Sequence, residues 1–422
     1  MRKILYVVLD GMGDLPIKDL GGLTPLEAAT APNMDALAAR GAQGTMSTIA
    51  PGVAPESDAA VMSLLGYDVQ DYYTGRGPLE SCGAGIEVRD GDLAWRCNFG
   101  TVDQDWNIID RRVGRNLEDT EARELAAVVQ KDVHLSGASF QFQHTTGHRA
   151  CLVIRPVTGA LSGEVDNGDP GYEREGPYSV AVANPGTKAK RIAPLKDGEA
   201  ERRSAELTND FLDQSFAILD AHPVNRRRRE EGHLPANFVL VRDAGNRLPR
   251  LPHFIDRFGV RFGAVVEMPV ERGLAILTGM AEVPVGLPTG DMEHDLIVWA
   301  EKTAEGLIDL DGLYVHVKGP DLPGHDGDYR RKTEVLSLID KHYFGRLEEA
   351  MDVSALTVCI TADHSTPCEL AAHSADPVPV LISGGIEPDD AGSFGEVNAF
   401  KGKLGTFVGP ELMPRLIEIA SS

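Results

Sequence analysis

The chain has 422 residues, 42% hydrophobic and 25% charged, a composition ordinary for a globular protein and a length beyond one compact core. Its 64 Asp and Glu outweigh 41 Lys and Arg, and the formal net charge of −23 argues against nucleic acid or anionic membrane as a main partner. Five cysteines, odd in number and without Cys-x-x-Cys spacing, point to reduced thiols in a cytoplasmic protein, and no apolar run approaches membrane-spanning length.

In chain order, residues 4–9 form a continuous apolar run closed by Asp10, too short for the core of a secretion signal. The run predicts a fully buried parallel strand that presents Asp10 at its C-terminal end. Thr24-Pro25 marks a helix start, residues 32–38 read as a further helix stopped by Gly41, and residues 57–65 read as a helix with Ser57 near its N-terminus. The middle has another texture: strand-like pieces at 92–98, 150–154 and 178–182, a loop rich in Gly, Pro and Asp over 163–176, and a charged helix over 199–219. The run Arg226-Arg227-Arg228-Arg229 reads as a solvated basic face. Helices at 291–305 and 329–351 then alternate with apolar strands at 312–317, 356–361 and 378–382, and 414–420 belongs to a final helix. The strands at 312–317 and 356–361 lead into Asp321 and into Asp363-His364. This alternation predicts an α/β domain with a mainly parallel sheet flanked by helices, built from residues 1–81 and 251–422. A smaller α+β cap, residues 82–250, is inserted into it. Ligands at strand C-terminal ends are where such sheets place their sites.

Asp321-x-x-x-His325 and Asp363-His364 mix carboxylate and imidazole, as manganese, cobalt and zinc sites do. Alone, the first pair is an ordinary loop turn and His373 an ordinary loop histidine. An ionisable pair directly after a buried strand is costly without a partner, however. Together with Asp10 the set predicts a metal site. Ser57 lies in Gly52-Val53-Ala54-Pro55-Glu56-Ser57-Asp58, where it serves either as a helix cap or as a nucleophile whose phosphorylated form the helix N-terminus stabilises; the residues leave both roles open.

Leu9-Asp10-Gly11-Met12-Gly13-Asp14, Thr24-Pro25-Leu26-Glu27-Ala28-Ala29, the segment 51–57 and Thr74-Gly75-Arg76-Gly77-Pro78-Leu79-Glu80 resemble archaeal-type cofactor-independent phosphoglycerate mutases, of the alkaline phosphatase superfamily. So do His316-Val317-Lys318-Gly319-Pro320-Asp321 with Gly324-His325-Asp326-Gly327-Asp328, and Ala362-Asp363-His364-Ser365-Thr366-Pro367. The likeness runs nearly end to end and is thinnest over 130–201. It implies an alkaline-phosphatase-like sheet and a serine transiently phosphorylated between two divalent ions. Asp10, Asp363 and His364 would hold the ion beside Ser57, itself a ligand; Asp321, His325 and His373 would hold the other. The expected reaction interconverts 3-phosphoglycerate and 2-phosphoglycerate, with manganese the leading ion, cobalt, zinc and magnesium the alternatives, and no bisphosphoglycerate. For the substrate's anionic groups, Arg111, Arg115 and Arg242 are the candidates, with Arg76 and Lys318 nearer the phosphate, because the arginine fork suits carboxylate. Asp110 is the candidate proton shuttle. A metal-dependent phosphomonoesterase or a homoserine kinase-like phosphotransferase of the same superfamily is the alternative, since the cap chooses the acceptor. The native metal and the oligomeric state are not legible in the residues.

Overall fold

The apolar run that opens the chain forms the strand Ile4–Leu9, buried along its whole length. The computed structural model in which it lies describes residues 1–176, 178–182, 185–286 and 288–422, the side chains of Glu175 and Ala181 excepted. Parallel strands Gly312–Val317 and Thr357–Thr361 flank it, with Leu9 opposite Val317 and Val8 opposite Thr361. That register decides where the chemistry emerges, because Asp10, Lys318 and Asp363 leave the sheet at one edge. Among the described residues the sheet has eight strands, in the order Ala281–Glu282, Phe262–Val265, Gly312–Val317, Ile4–Leu9, Thr357–Thr361, Val378–Ser383, Gly41–Ser47, Gly405–Val408. Only Val378–Ser383 runs antiparallel to its neighbours, so the sheet is mainly parallel, as predicted.

Gly41–Ser47 lies inside this sheet although its sequence carries little apolar or β-branched content. Its glycines explain the placement. A Cβ on Gly41 would stand 2.5 Å from the Ile382 carbonyl, and one on Gly44 2.5 Å from that of Gly405, so the backbones on either side approach where a side chain would not fit. Thr24 and Glu27 close a capping box over Pro25–Ala28. The helix Pro32–Ala38 lacks a cap of its own and borrows one: Asp340 accepts from the amides of Met34 at 2.7 Å and Asn33 at 3.2 Å. Asp340 begins a single π turn, Asp340–Phe344, between the helices Tyr329–Ile339 and Gly345–Ala350.

The chain divides into two compact units, Met1–Tyr72 with Leu251–Ser422, and Tyr73–Arg250. The second begins at Tyr73 rather than 82 because the helix Arg76–Gly83 packs within it: a Cβ on Gly77 would meet the carbonyls of Ala94 and Asp243 at 2.4 and 2.5 Å. Its five-stranded sheet is antiparallel, with Leu93–Val102 bonded to Ile108–Asp110, Arg149–Pro156 and Phe238–Gly245, and Ala138–His144 beyond Arg149–Pro156. Helices Asp119–Asp132 and Glu199–Asp220 pack against it around Phe99, Phe142, Phe211 and Phe238. The basic run is the solvated face expected of it at Arg226, Arg227 and Arg229, but not at Arg228. It lies in the helix Pro223–Glu230, where Arg228 is buried and bonded to the side chains of Glu121 and Asn116 and to the Leu234 carbonyl. One guanidinium thus fastens three segments of the second unit.

In the first unit Lys332 does the same from a fully buried position. Its ammonium donates to Asp14 Oδ2 at 2.8 Å and to the carbonyls of Gly13 and Thr366 at 3.1 and 2.9 Å. Replacing it leaves a buried carboxylate without its counter-charge, so Lys332→Met should destabilise the first unit by about 3–5 kcal/mol. Urea titration followed by a probe confined to that unit measures this, and an unshifted midpoint would show that the pair contributes nothing.

Candidate active site

Two Asp/His clusters lie at the edge where the central strands end. Asp10, Asp363 and His364 form one, and Asp321, His325 and His373 the other; within each cluster one ligand atom per residue lies within 4.8 Å of the rest. Asp321–His325 is a single helical turn, which sets the two side chains on one face. His325 Nε2 and His373 Nε2 face Asp321 Oδ1 at 3.5 and 3.6 Å. His364 Nε2 faces Asp10 Oδ1 at 3.4 Å and Asp363 Oδ2 at 3.2 Å.

The hydrogen bonds behind the rings give these approaches their meaning. His325 Nδ1 meets the Ala371 carbonyl at 3.1 Å, and His373 Nδ1 the Pro55 carbonyl at 2.9 Å. A carbonyl only accepts, so both rings donate from Nδ1, and a neutral ring then turns the Nε2 lone pair toward a carboxylate. His364 follows the same rule through Thr366, whose hydroxyl donates to Asp321 Oδ1 at 2.8 Å and accepts from His364 Nδ1 at 3.0 Å. Asp10 Oδ1 and Asp363 Oδ2 are buried and have no hydrogen-bond partner among the described residues. Lone pairs facing lone pairs in a buried site call for a proton or a cation between them, and this donor set suits a divalent transition metal. The residues therefore fit the ions that the sequence led one to expect.

Ser57 is the first residue of the helix Ser57–Leu64 and its Oγ lies 3.3 Å from His364 Nε2. The N-cap position belongs to Glu56, so Ser57 does not make the capping bond. Lys318 is engaged by protein: its ammonium reaches Asp10 Oδ2 at 2.8 Å, Glu271 Oε1 at 2.7 Å and His316 Nε2 at 3.4 Å. Glu271, His316 and Thr366 were missed from the sequence. His316 carried a signal, a polar residue inside an otherwise apolar strand, and Thr366 sits two places after His364. Glu271, in the first turn of the helix Pro269–Leu277, carried none.

The remaining candidates lie in the second unit. Arg242 is buried, 3.2 Å from Asp169 Oδ2 and stacked on the Tyr172 ring at 4.5 Å. Arg111 grips the same Asp169 in two places, at 2.9 and 2.7 Å. Arg76 and Arg96 converge on Glu80 at 2.7 and 3.1 Å; burial opposes ionisation of that carboxyl, yet the two guanidinia hold it down to about 2. Burial and the neighbouring arginines push His148 down to about 3. Asp110 Oδ1 accepts from the amides of Arg112 and Gly114 at 2.7 and 3.0 Å, bracing a turn in which Val113, Gly114 and Arg115 all have positive φ. The loop lines a cavity of about 470 Å³ with Arg111, Arg112, Arg115 and residues 185–187. A strained turn that gathers three arginines is an arrangement found at binding sites.

An α/β sheet with paired Asp/His clusters and a serine at a helix N-terminus defines a class of protein equipped for phosphoryl chemistry. Comparison with known proteins narrows the class. A model of the family described as 2,3-bisphosphoglycerate-independent phosphoglycerate mutase matches residues 38–225. Enzymes of that name from Aeropyrum pernix and Methanopyrus kandleri are 43% and 40% identical to the chain, covering 99% of it and 99% and 96% of their own lengths. Among solved structures, a Pyrococcus horikoshii protein superposes with a TM-score of 0.80 at 31% identity, over 100% of this chain and 97% of that one. The cofactor-independent phosphoglycerate mutase of Thermoplasma acidophilum does so with 0.64 at 32%, over 100% of both. The chain belongs to the 2,3-bisphosphoglycerate-independent phosphoglycerate mutases. Among the described residues no helix is long and apolar enough to cross a membrane.

The charges of the site have a measurable consequence in chelator-stripped protein. Burial, then the Asp363 charge, raises Asp10 to about 7. His373 moves up to about 9: burial opposes its charge, but the bond to Asp321 and the Glu56 charge override it. Both groups bind protons more tightly folded than unfolded. The His373 contribution is therefore complete below about 6.5 and lost as pH rises through 9, and the Asp10 contribution is lost as pH rises through 7. The Tm of stripped protein should fall between pH 6 and 9, with the upper part of the fall absent in His373→Ala. A Tm that holds steady or rises over that range contradicts the assignment.

Proposed function

We propose that the enzyme moves the phosphoryl group of 3-phosphoglycerate to the 2-hydroxyl through a phosphoserine at Ser57, with the two Asp/His clusters each holding a divalent cation. The observation that carries this reading is the convergence of Ser57 Oγ, His364 Nε2 and the unpartnered oxygens of Asp10 and Asp363. Bound cations supply charge neutralisation for the phosphoryl oxygens and lower the pKa of a hydroxyl beside them. The donor set suits manganese first, with cobalt, zinc or magnesium as alternatives.

The chain's own residues do the rest. Ser57 Oγ gives up its proton and attacks phosphorus, the bond to the 3-oxygen breaks, and that oxygen takes a proton. The glycerate stays bound and turns, its 2-hydroxyl gives up a proton and attacks, and the Ser57 oxygen leaves and takes a proton. The helix Ser57–Leu64 favours the phosphoserine because its N-terminus carries partial positive charge. Lys318 fixes Asp10 by one oxygen and leaves the other for a cation. To the second unit's arginines, Arg76, Arg111, Arg115 and Arg242, we assign recognition of the substrate's anionic groups, and to Asp110 the proton transfer between hydroxyls.

An assay coupled through enolase, pyruvate kinase and lactate dehydrogenase, given 3-phosphoglycerate and manganese without bisphosphoglycerate, tests this. Ser57→Ala should lower turnover by at least about 10³-fold with the circular dichroism spectrum unchanged. Chelation should abolish turnover and manganese restore it; full activity in verified metal-free protein sinks the mechanism. Phosphate release in place of 2-phosphoglycerate would make the chain a phosphomonoesterase.

A further inference from the structure

Thr366 belongs to neither ligand set, yet it touches both. Its side chain is fully buried, and its hydroxyl spends its one proton on Asp321 Oδ1 while accepting from His364 Nδ1. A single oxygen atom thus joins a member of one Asp/His cluster to a member of the other. The backbone around it is clamped: the Thr366 amide donates to the Gly13 carbonyl at 3.0 Å and its carbonyl accepts from Lys332. Two glycines make room for it. A Cβ on Gly11 (φ +62°) would stand 2.7 Å from Thr366 Oγ1, and one on Gly324 2.5 Å from the Thr366 carbonyl. The fold therefore keeps a side chain off the hydroxyl on the Gly11 side and off the Thr366 backbone on the Gly324 side.

We propose that Thr366 is a positioning residue that couples the two cation sites, so that neither keeps its affinity without the hydroxyl. The inference rests on the two-cation reading above. The bond to Nδ1 holds His364 in the tautomer whose Nε2 carries a lone pair, and it makes that nitrogen a better donor to a metal. The bond to Oδ1 holds the Asp321 carboxylate against rotation. Because both bonds meet at one oxygen, each polarises the other. Deleting the hydroxyl leaves a buried N–H and a half-buried carboxylate oxygen each short of a partner, one in each cluster.

The test is manganese binding to chelator-stripped protein, by isothermal titration with electron paramagnetic resonance to count the ions. Wild-type protein should take two. Thr366→Val, which keeps shape and loses the hydroxyl, should weaken both sites by about 10- to 100-fold, the usual effect of removing a group that orients a ligand. Thr366→Ser should restore both. To resolve the sites, Thr366→Val is repeated in His325→Ala, which spares the Asp10 cluster, and in Asp10→Asn, which spares the other; the remaining site should weaken in each. Weakening of one site only, or of neither, overturns the coupling. If circular dichroism finds Thr366→Val unfolded, Thr366→Cys, of similar volume and weaker hydrogen bonding, is read in the same way. A wild-type protein that takes no second ion overturns the two-cation reading itself, a result distinct from those on Thr366.

Discussion

Everything in the first unit depends on the burial of carboxylates at the end of a parallel sheet. Parallel pairing in the observed register delivers Asp10 and Asp363 to the same edge, under cover, with little water to solvate them. Buried like charges are expensive unless opposite charge is built in or bound. Lys318 supplies one fixed positive charge, and burial is overridden in its case by Asp10 and Glu271, which hold the ammonium in its charged form. One ammonium shared with Glu271 cannot balance the carboxylates of both clusters. With Nδ1 committed, a histidine here can meet a cation only through the Nε2 lone pair. A site assembled this way has its need for cations written into its hydrogen bonds.

The second unit solves the opposite problem. Arg76, Arg96, Arg149 and Arg242 crowd around Glu80, Asp169 and Asp243, and burial and the neighbouring Arg96 push Arg149 down to about 10. Residues with structural partners of this kind remain candidates for binding an anion. Arg242 and Arg111 are both salt-bridge partners of Asp169 and the walls of a cationic region. The net charge of −23 is a sum over the whole chain and does not describe this interior.

What was legible in the sequence follows the same physics. The strands Ile4–Leu9, Gly312–Val317 and Thr357–Thr361 could be read because burial on both faces forces unbroken apolar runs, and the acidic residues after them stood out against that background. Gly41–Ser47 could not, because its burial is achieved by glycines that admit neighbouring backbone rather than by apolar side chains. Within the arginine run Arg228 alone departs from a solvated face, and it could not be singled out because charge patterning does not reveal a partner distant in sequence: Glu121 lies more than a hundred residues from Arg228. Glu271 was invisible for a related reason. Nothing in Met268-Pro269-Val270-Glu271 indicates that the helix it opens will carry the carboxylate beneath Lys318.

Lys318 shows where reading residue types stops and geometry takes over. A lysine three places before Asp321 suggests a ligand for phosphate, and a point charge suits that task. Its three N–H groups instead have three acceptors in the protein, Asp10, Glu271 and His316. Asp10 is thereby divided, with Oδ2 tied to a fixed cation and Oδ1 left bare. Had both oxygens been paired, the carboxylate would be a structural ion pair; had neither, burial would favour the neutral acid. Divided as it is, Asp10 is held in place by one oxygen and kept available by the other, the condition a ligand must meet before its cation arrives.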